Sequence, residues 1–324
     1  MNFERIPPVE TSKHFLDLAF RKARRKGMEK NLKGNWLQII RKKEGLKLDI
    51  IKDSAVPRLE KILQDFPDFD HLPEFYIKLM RLTLNLPELK KSLGSINGAI
   101  KRIRLLHKDY VSKITKTKEN GAIKELSRQF YGRFSSMLKR IDPHLKHLEE
   151  CRKIMKSYPD IKEMFTVCIY GFPNVGKTTL LNKLTKTEAK VAAYAFTTKT
   201  INAGYLVDNK EIQILDVPGT LARTEKMNKI ELQADLVLKE LADVIIYVFD
   251  LSESCGYSVI FQDKLLKIIK NSKEITSQKK KILIYLSKTD LSEGKPLPKF
   301  KYKHYSLSEI KEEILKLAKQ RSLE

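Results

Sequence analysis

Two different rhythms of apolar and polar positions divide the chain. From Thr11 to about residue 158, apolar residues recur at three- and four-residue steps; beyond it, short unbroken apolar runs alternate with amphipathic stretches. The first rhythm belongs to helices, the second to strands alternating with helices. Phe15, Leu18 and Ala19 share one face ahead of the basic run Arg21–Lys26. Val56, Leu59, Ile62, Leu63 and Phe66 mark a helix that Pro67 stops, and Pro73 opens another that carries Phe75, Leu79, Leu82 and Leu86 up to Pro87. Ile96, Ile100, Ile103, Leu106, Tyr110 and Ile114 form one continuous stripe. Ile123, Leu126, Phe130, Phe134, Met137, Ile141, Leu145 and Leu148 form another, which Pro143 is expected to bend or interrupt. Helices with one apolar stripe each must bury it against one another, so residues 1–158 are expected to form an all-α antiparallel bundle.

Residues 159–324 read as an α/β domain with a mostly parallel sheet. Strands are expected at Phe165–Tyr170, Thr200–Val207, Glu211–Val217, Asp243–Asp250 and Lys281–Leu286, with a short one near Phe300–Tyr305. Helices are expected at Lys229–Leu241, Val259–Lys270 and Glu309–Lys319. Such alternation covers both sheet faces and leaves ligands at the C-terminal strand ends.

Gly171-Phe172-Pro173-Asn174-Val175-Gly176-Lys177-Thr178 follows the first of these strands and opens a helix. It fits the phosphate-loop pattern, and its flanks are those the pattern requires. The glycines let backbone N–H groups face phosphate oxygens, and the helix N-terminus adds partial positive charge. Residues Pro173 to Thr179 line the phosphates, Lys177 reaches the β- and γ-phosphates, and the Thr178 hydroxyl can ligate Mg²⁺. Three further stretches narrow the nucleotide to a guanine one. Asp216-Val217-Pro218-Gly219 ends a strand, where the carboxylate can hold Mg²⁺ through water and the Gly219 N–H can sense a γ-phosphate. Thr197-Thr198 lies in a polar stretch from which a mobile loop can bring a hydroxyl to the metal. Ser287-Lys288-Thr289-Asp290 approximates an Asn/Thr-Lys-x-Asp loop, in which Asp290 accepts two hydrogen bonds from guanine that adenine cannot offer and Lys288 packs its stem on the base. A backbone N–H at Ser306 or Leu307 can donate to guanine O6.

Charge adds a partner. The chain of 324 residues carries a net charge of +23, of which +16 falls in residues 1–160 and +7 in the rest. A surplus placed this way points to a polyanion, foremost nucleic acid. Lys101, Arg104 and Lys108 share one helical face, and Arg21, Arg24 and Arg25 sit in the basic run; Trp36, Tyr110 and Tyr131 are candidate stacking partners for RNA bases. Three cysteines, Cys151, Cys168 and Cys255, have the spacing of neither a disulfide framework nor a zinc site and read as buried thiols of a cytoplasmic protein. His144 and His147 lie three apart without the carboxylates of a metal site and read as surface residues. The apolar runs are strand-length, so no membrane partner is expected, and a monomer is the expected form.

Tyr194-Ala195-Phe196-Thr197-Thr198-Lys199, Asp216-Val217-Pro218-Gly219 and Leu251-Ser252-Glu253-Ser254-Cys255-Gly256 resemble the Obg-related GTPases, specifically the Nog-type ribosome-assembly GTPases. The resemblance extends into the helical half, through Leu93-Gly94-Ser95-Ile96-Asn97-Gly98-Ala99-Ile100 and Asp109-Tyr110-Val111. It implies a GTPase converting GTP to GDP in assembly of the large ribosomal subunit, with the helical domain against ribosomal RNA. The long C-terminal extension of eukaryotic members is not in this sequence, so it looks like the compact, archaeal kind. Mapped onto these positions, the resemblance makes Lys177 the phosphate lysine, Thr178 and Thr198 Mg²⁺ ligands, Asp216 a water-mediated ligand, and Asn174 the loop asparagine that holds K⁺ in potassium-activated relatives.

Two departures qualify it. Thr220 stands where Ras-like enzymes place a water-orienting Gln, so intrinsic hydrolysis is expected to be slow unless a cation or the ribosome completes the site. Ser287 replaces the usual Asn, removing an amide that braces the guanine loop. The alternatives these departures leave are an RNA-binding assembly scaffold with little hydrolysis and, on Ser287 alone, an ATPase.

Overall fold

A computed structural model of the chain describes residues 3–27, 34–159, 161–162, 164–185, 192–196, 199–207, 211–221, 229–292 and 300–321. It resolves into two compact units, one of residues 4–72 and 84–156, the other of residues 1–3, 73–83 and 157–324.

The first unit contains α1 (Ser12–Gly27), α2 (Trp36–Asp65), and, beyond α3 (Glu74–Thr83), α4 (Leu86–Lys116) and α5 (Asn120–Met155). The contacts fix its topology. Ser92 meets His144 while Tyr110 meets Phe130, so α4 and α5 run antiparallel. Arg41 bonds the Thr117 carbonyl while Glu60 pairs with Arg104, so α2 and α4 do too. Ser12 bonds Asp142 while Phe20 meets Phe134, which reverses α1 against α5. The expected stripe Ile96, Ile100, Ile103, Leu106, Tyr110 and Ile114 is buried throughout. Asp142 links the α1 N-terminus to α5, its Oδ1 accepting from the Ser12 N–H at 2.8 Å. Hydrogen bonds from Lys146 and Ser12 hold its carboxyl down at about 2.

Two prolines behave differently from expectation. Pro87 does not end a helix; it sits in the first turn of α4, where a missing N–H costs nothing, and Asn85 caps that turn by accepting from the Glu88 N–H at 3.3 Å. Pro143 does not interrupt α5, which runs continuously through it. Burial of Ile141, Leu145 and Leu148 on the same face outweighs the one backbone hydrogen bond that proline removes.

The second unit places a six-stranded sheet among the described residues, in the order β2-β3-β4-β1-β5-β6. Its strands are β1 (Thr166–Tyr170), β2 (Ala192–Phe196), β3 (Lys199–Val207), β4 (Glu211–Asp216), β5 (Val244–Asp250) and β6 (Lys281–Ser287). Strands β4, β1, β5 and β6 are parallel; β3 pairs antiparallel with β4 and with β2. The central strands β1 and β5 are buried at every position, as a sheet covered on both faces demands. Helices α6 (Lys177–Thr185), α7 (Lys229–Glu240), α8 (Val259–Lys270), α9 (Lys273–Ser277) and α10 (Leu307–Arg321) follow in the same unit, which also holds α3.

Three features depart from the sequence reading. Residues 192–196 form strand β2; Ala-rich and weak in strand propensity, they gain their ladder from β3. The expected strand at 300–305 reduces to a single bridge, Tyr305 to Tyr285. And α3, which the reading assigned to a first domain of residues 1–158, belongs to the second unit. Buried Tyr76 explains this: its hydroxyl donates to the Pro159 carbonyl at 2.8 Å and accepts from the Ile161 N–H at 3.0 Å, while Lys78 pairs with Glu240 of α7 at 2.8 Å.

Candidate nucleotide site

The phosphate loop leaves β1 by a sharp turn that only glycine fits at its start. Gly171 has φ +150°, and a Cβ there would lie 2.8 Å from the Val248 carbonyl oxygen of β5. Asn174 holds a left-handed φ of 59° at the exposed apex of the loop, the conformation Asn tolerates best among non-glycine residues. Val175 is buried and anchors the loop from below. Pro173 lacks an N–H and so shapes the cradle without donating to it. Lys177 is buried, and its Nζ reaches back to the Phe172 carbonyl at 2.8 Å. Thr178 and Thr179 follow in the first turn of α6, both exposed.

Asp216, at the end of β4, comes beside the first turn of α6. Thr178 Oγ1 donates to Asp216 Oδ2 at 2.5 Å, and Asn202 Nδ2 on β3 donates to the same oxygen at 3.2 Å. Burial raises the Asp216 pKa above the usual carboxylate value, against the pull of Thr178, Lys177 and Asn202. A buried carboxylate oxygen and a hydroxyl at contact distance are the hard donor set that Mg²⁺ accepts. Gly219 lies directly on the phosphate loop: a Cβ there would fall 2.5 Å from Pro173 N and 2.8 Å from Lys177 Nζ. Thr220 turns away, fully buried, with its hydroxyl bonded to the Tyr170 hydroxyl inside the unit. Thr197 and Thr198 lie outside the described residues.

At the base end, Ser287 is buried and its hydroxyl donates to the Phe249 carbonyl at 3.0 Å. Lys288 has φ +53°, and its Nζ donates to Asp250 Oδ2 and Ser254 Oγ, each at 2.9 Å. Asp290 is exposed in a turn spanning Thr289–Ser292. The pair expected to donate to guanine O6 is narrowed: the Ser306 N–H is taken by Glu309 at 2.7 Å, while the Ser306 hydroxyl accepts from the Glu309 N–H at 3.3 Å. That reciprocal cap starts α10 and leaves Leu307 as the donor of the two. Asn202, Asp250 and Gln262 were not singled out by the sequence reading, and Ser254 entered it only within the motif that carries the resemblance; of these Asp250 carried a signal, since it ends an apolar strand as Asp216 does.

The basic candidates of the first unit divide. Lys101 and Lys108 are exposed, but Arg104 pairs with Glu60 at 2.5 Å. Arg21, Arg24 and Arg25 are exposed on α1. Trp36 is 70% exposed, whereas Tyr110 is no stacking platform: it is core, edge-on to Phe130. Tyr131 is half-buried beside Glu44. His144 bonds Ser92 and His147 contacts Cys151; no metal-binding group of His, Cys, Asp and Glu occurs among the described residues. All three cysteines are free and buried.

Lys177, Thr178, Asp216, Gly219 and Ser287 gather at the C-terminal strand ends, in the chain order in which P-loop GTPases carry these motifs, and this sets the class. Residues 166–288 match a family model described as 50S ribosome-binding GTPase, and residues 3–162 one described as NOG1 N-terminal helical domain. An uncharacterized protein of Methanocaldococcus jannaschii is 35% identical over 89% of this chain and 81% of its own length. Nucleolar GTP-binding protein 1 of Drosophila melanogaster is 33% identical over 92% of this chain, and that of Saccharomyces cerevisiae 31% over 90%. The chain spans 45% of the length of these two nucleolar relatives. A crystal structure of nucleolar GTP-binding protein 1 from Plasmodium falciparum aligns with 51% of this chain and 92% of its own, at 24% identity and a TM-score of 0.38. The chain belongs to the Nog1 family of Obg-related GTPases.

Proposed function

We propose that the protein is a GTP-driven switch in assembly of the large ribosomal subunit, hydrolysing GTP to GDP, with its helical unit against ribosomal RNA. The observation that carries this reading is the junction of Lys177, Thr178, Asp216 and Gly219 at one strand edge, in a chain whose first 160 residues hold +16 of its +23 charges. In this scheme Lys177 leaves the Phe172 carbonyl for the phosphates. Thr178 and Asp216, with Thr198, hold Mg²⁺, which neutralises phosphate charge when bound. Gly219 donates its N–H toward the γ-phosphate and passes its presence to the segment that follows. Asp290 reads the guanine edge, with Lys288 against its face. The protein works as a monomer in the cytoplasm, where its buried free thiols stay reduced. No described helix is long and apolar enough to cross a membrane.

Hydrolysis in this reading is slow without help. The Thr220 hydroxyl, bonded to Tyr170 in the interior, cannot orient an attacking water. Asn174 would hold K⁺ beside the phosphates, where the ion would supply transition-state charge. The same Thr220 geometry favours the second reading, a scaffold that binds nucleotide and turns it over little. GTP hydrolysis measured in K⁺ and in Na⁺, with and without large subunits, separates the two. The switch requires stimulation by K⁺, subunits or both, and the absence of any turnover in all four conditions would leave the scaffold.

A further inference from the structure

Asp250 has no part in the scheme above, yet it is among the most heavily engaged carboxylates of the chain. It ends β5 fully buried, and five donors converge on its two oxygens. The Ser252 N–H and hydroxyl bond Oδ1 at 3.0 and 2.5 Å, and the Ser254 hydroxyl and Cys255 N–H bond Oδ2 at 3.1 and 2.8 Å. Those four are local and would do no more than close the turn after a strand. The fifth is not local: Lys288 Nζ, 38 positions away in the guanine loop, bonds Oδ2 at 2.9 Å. Nor is the backbone of Asp250 left to the ladder alone. The side-chain amide of buried Gln262 accepts from the Asp250 N–H and donates to the Asp250 carbonyl, each at 2.9 Å. A turn that only had to reverse the chain would need neither Gln262 nor Lys288.

The position of Ser287 gives the arrangement a purpose. A Cβ on Gly176 of the phosphate loop would lie 3.5 Å from the Ser287 Cβ, so residue 287 sits beside that loop, where an Asn amide would reach into it. The shorter serine turns its hydroxyl to the Phe249 carbonyl instead. Residues 287 and 288 are thus both tied to the end of β5, at Phe249 and Asp250, which pair in register with β6 up to Ser287.

We propose that Asp250 is the positioning residue of the guanine loop: acting through Lys288, it supplies the brace that Ser287 does not, and so sets affinity for guanine nucleotide. The net of hydrogen bonds keeps it ionised; its pKa lies below the ordinary value because Ser252, Lys288 and the Cys255 N–H outweigh burial. Lys288, at a left-handed φ, keeps its stem along the base with its amine fixed on the carboxylate. The inference rests on the assignment of Lys288 and Asp290 to base recognition.

Titration of the full chain with fluorescent GDP and Mg²⁺ tests both and tells them apart. Asp250→Asn keeps the shape and removes the charge, and is expected to weaken GDP binding about tenfold, the loss of one charge-assisted hydrogen bond. Lys288→Ala weakens it too, and Asp250→Asn then costs nothing further in the Lys288→Ala background, because the two act as a unit. An equal loss in both backgrounds, or no loss in the single variant, overturns the inference. Ser254→Ala removes an exposed hydroxyl that bonds both Lys288 and Asp250 while leaving the buried carboxylate itself in place, and is expected to weaken binding about twofold. If Asp250→Asn does not fold, unchanged affinity in Ser254→Ala is the overturning result. Asp290→Ala is the control: GDP affinity equal to the parent's overturns the base-recognition assignment and the inference with it, whereas its loss beside an unaffected Asp250→Asn overturns the inference alone.

Discussion

The helical unit and the GTPase unit solve the burial of a long chain in opposite ways, and the difference decides where chemistry can sit. In the helical unit each of α1, α2, α4 and α5 buries one stripe, and among the described residues no strand end or loop gathers polar side chains to a point; the exposed charges described there lie spread over outward helix faces. In the GTPase unit the strands are buried on both faces, so polar chemistry is driven to their C-terminal ends, where Asp216, Asp250 and Ser287 lie within reach of neighbouring loops. One unit therefore offers a surface and the other a site. Substitutions should tell them apart: at the site one residue should matter greatly, and on the surface several should matter moderately and together.

The sharpest expected effect is at Lys177. Its buried amine rests on the Phe172 carbonyl, at the centre of the phosphate loop. Lys177→Ala is expected to lower GTP affinity about a hundredfold, two charged hydrogen bonds' worth, and to abolish hydrolysis. Near-parental binding by equilibrium titration would remove the phosphate loop from the argument and erase the contrast between the units.

The sequence disclosed the site and the surface unequally. The phosphate loop, Asp216 and Lys288 were legible because each combines a residue type with a place at a strand end. Asn202 and Gln262 were not: an amide in the middle of a strand or helix has no pattern of its own, and only pairing or packing reveals what it holds. The stripes of α4 and α5 were legible in full, since periodicity is what burial selects. Tyr110 was misread as a surface aromatic although it lay in the stripe. The prolines were misread because proline punctuates a helix at either end; Asn85 just before Pro87 marks a start, and burial of the surrounding stripe carries α5 past Pro143. That α3 sits with the GTPase unit was beyond any local pattern, since it depends on Tyr76 meeting residues 159 and 161.

A moderate effect is expected on the helical surface. Reversing Lys101, Arg104 and Lys108 to Glu should weaken association with ribosomal RNA and flatten its salt dependence. Because Arg104 already pairs with Glu60, the slope of log affinity against log salt should fall by about 2, not 3. Binding across a salt series checks this, with nucleotide affinity as the companion measurement. An unchanged slope moves the RNA contact to another face, with Arg21, Arg24 and Arg25 next; a changed GDP affinity would mean that the surface and the site are not separate.

The smallest expected effect concerns stability and distinguishes the units by a single carboxylate. Asp142 joins α1 to α5, with a folded pKa of about 2 against an ordinary value near 3.8. Its pKa is depressed in the folded state, so the unfolded chain binds the extra proton between those values. The stability it contributes is fully present above about pH 4 and is lost as pH falls towards 2. Its partner Lys146 is 63% exposed, so screening reduces the contribution to about 1 kcal/mol. Asp263 of the GTPase unit is also held at about 2: burial raises it, but Tyr302, Lys267 and Lys301 lower it further. Acid should therefore weaken both units over the same window. Asp142→Asn should remove the part of the pH dependence that belongs to the helical unit and leave that of the GTPase unit intact. Urea midpoints at pH 5 and pH 2.5, read by hydrogen exchange in each unit, check this. A midpoint difference in the helical unit as large in Asp142→Asn as in the parent would show that the α1–α5 link is made by packing, with the Asp142 bond a passenger.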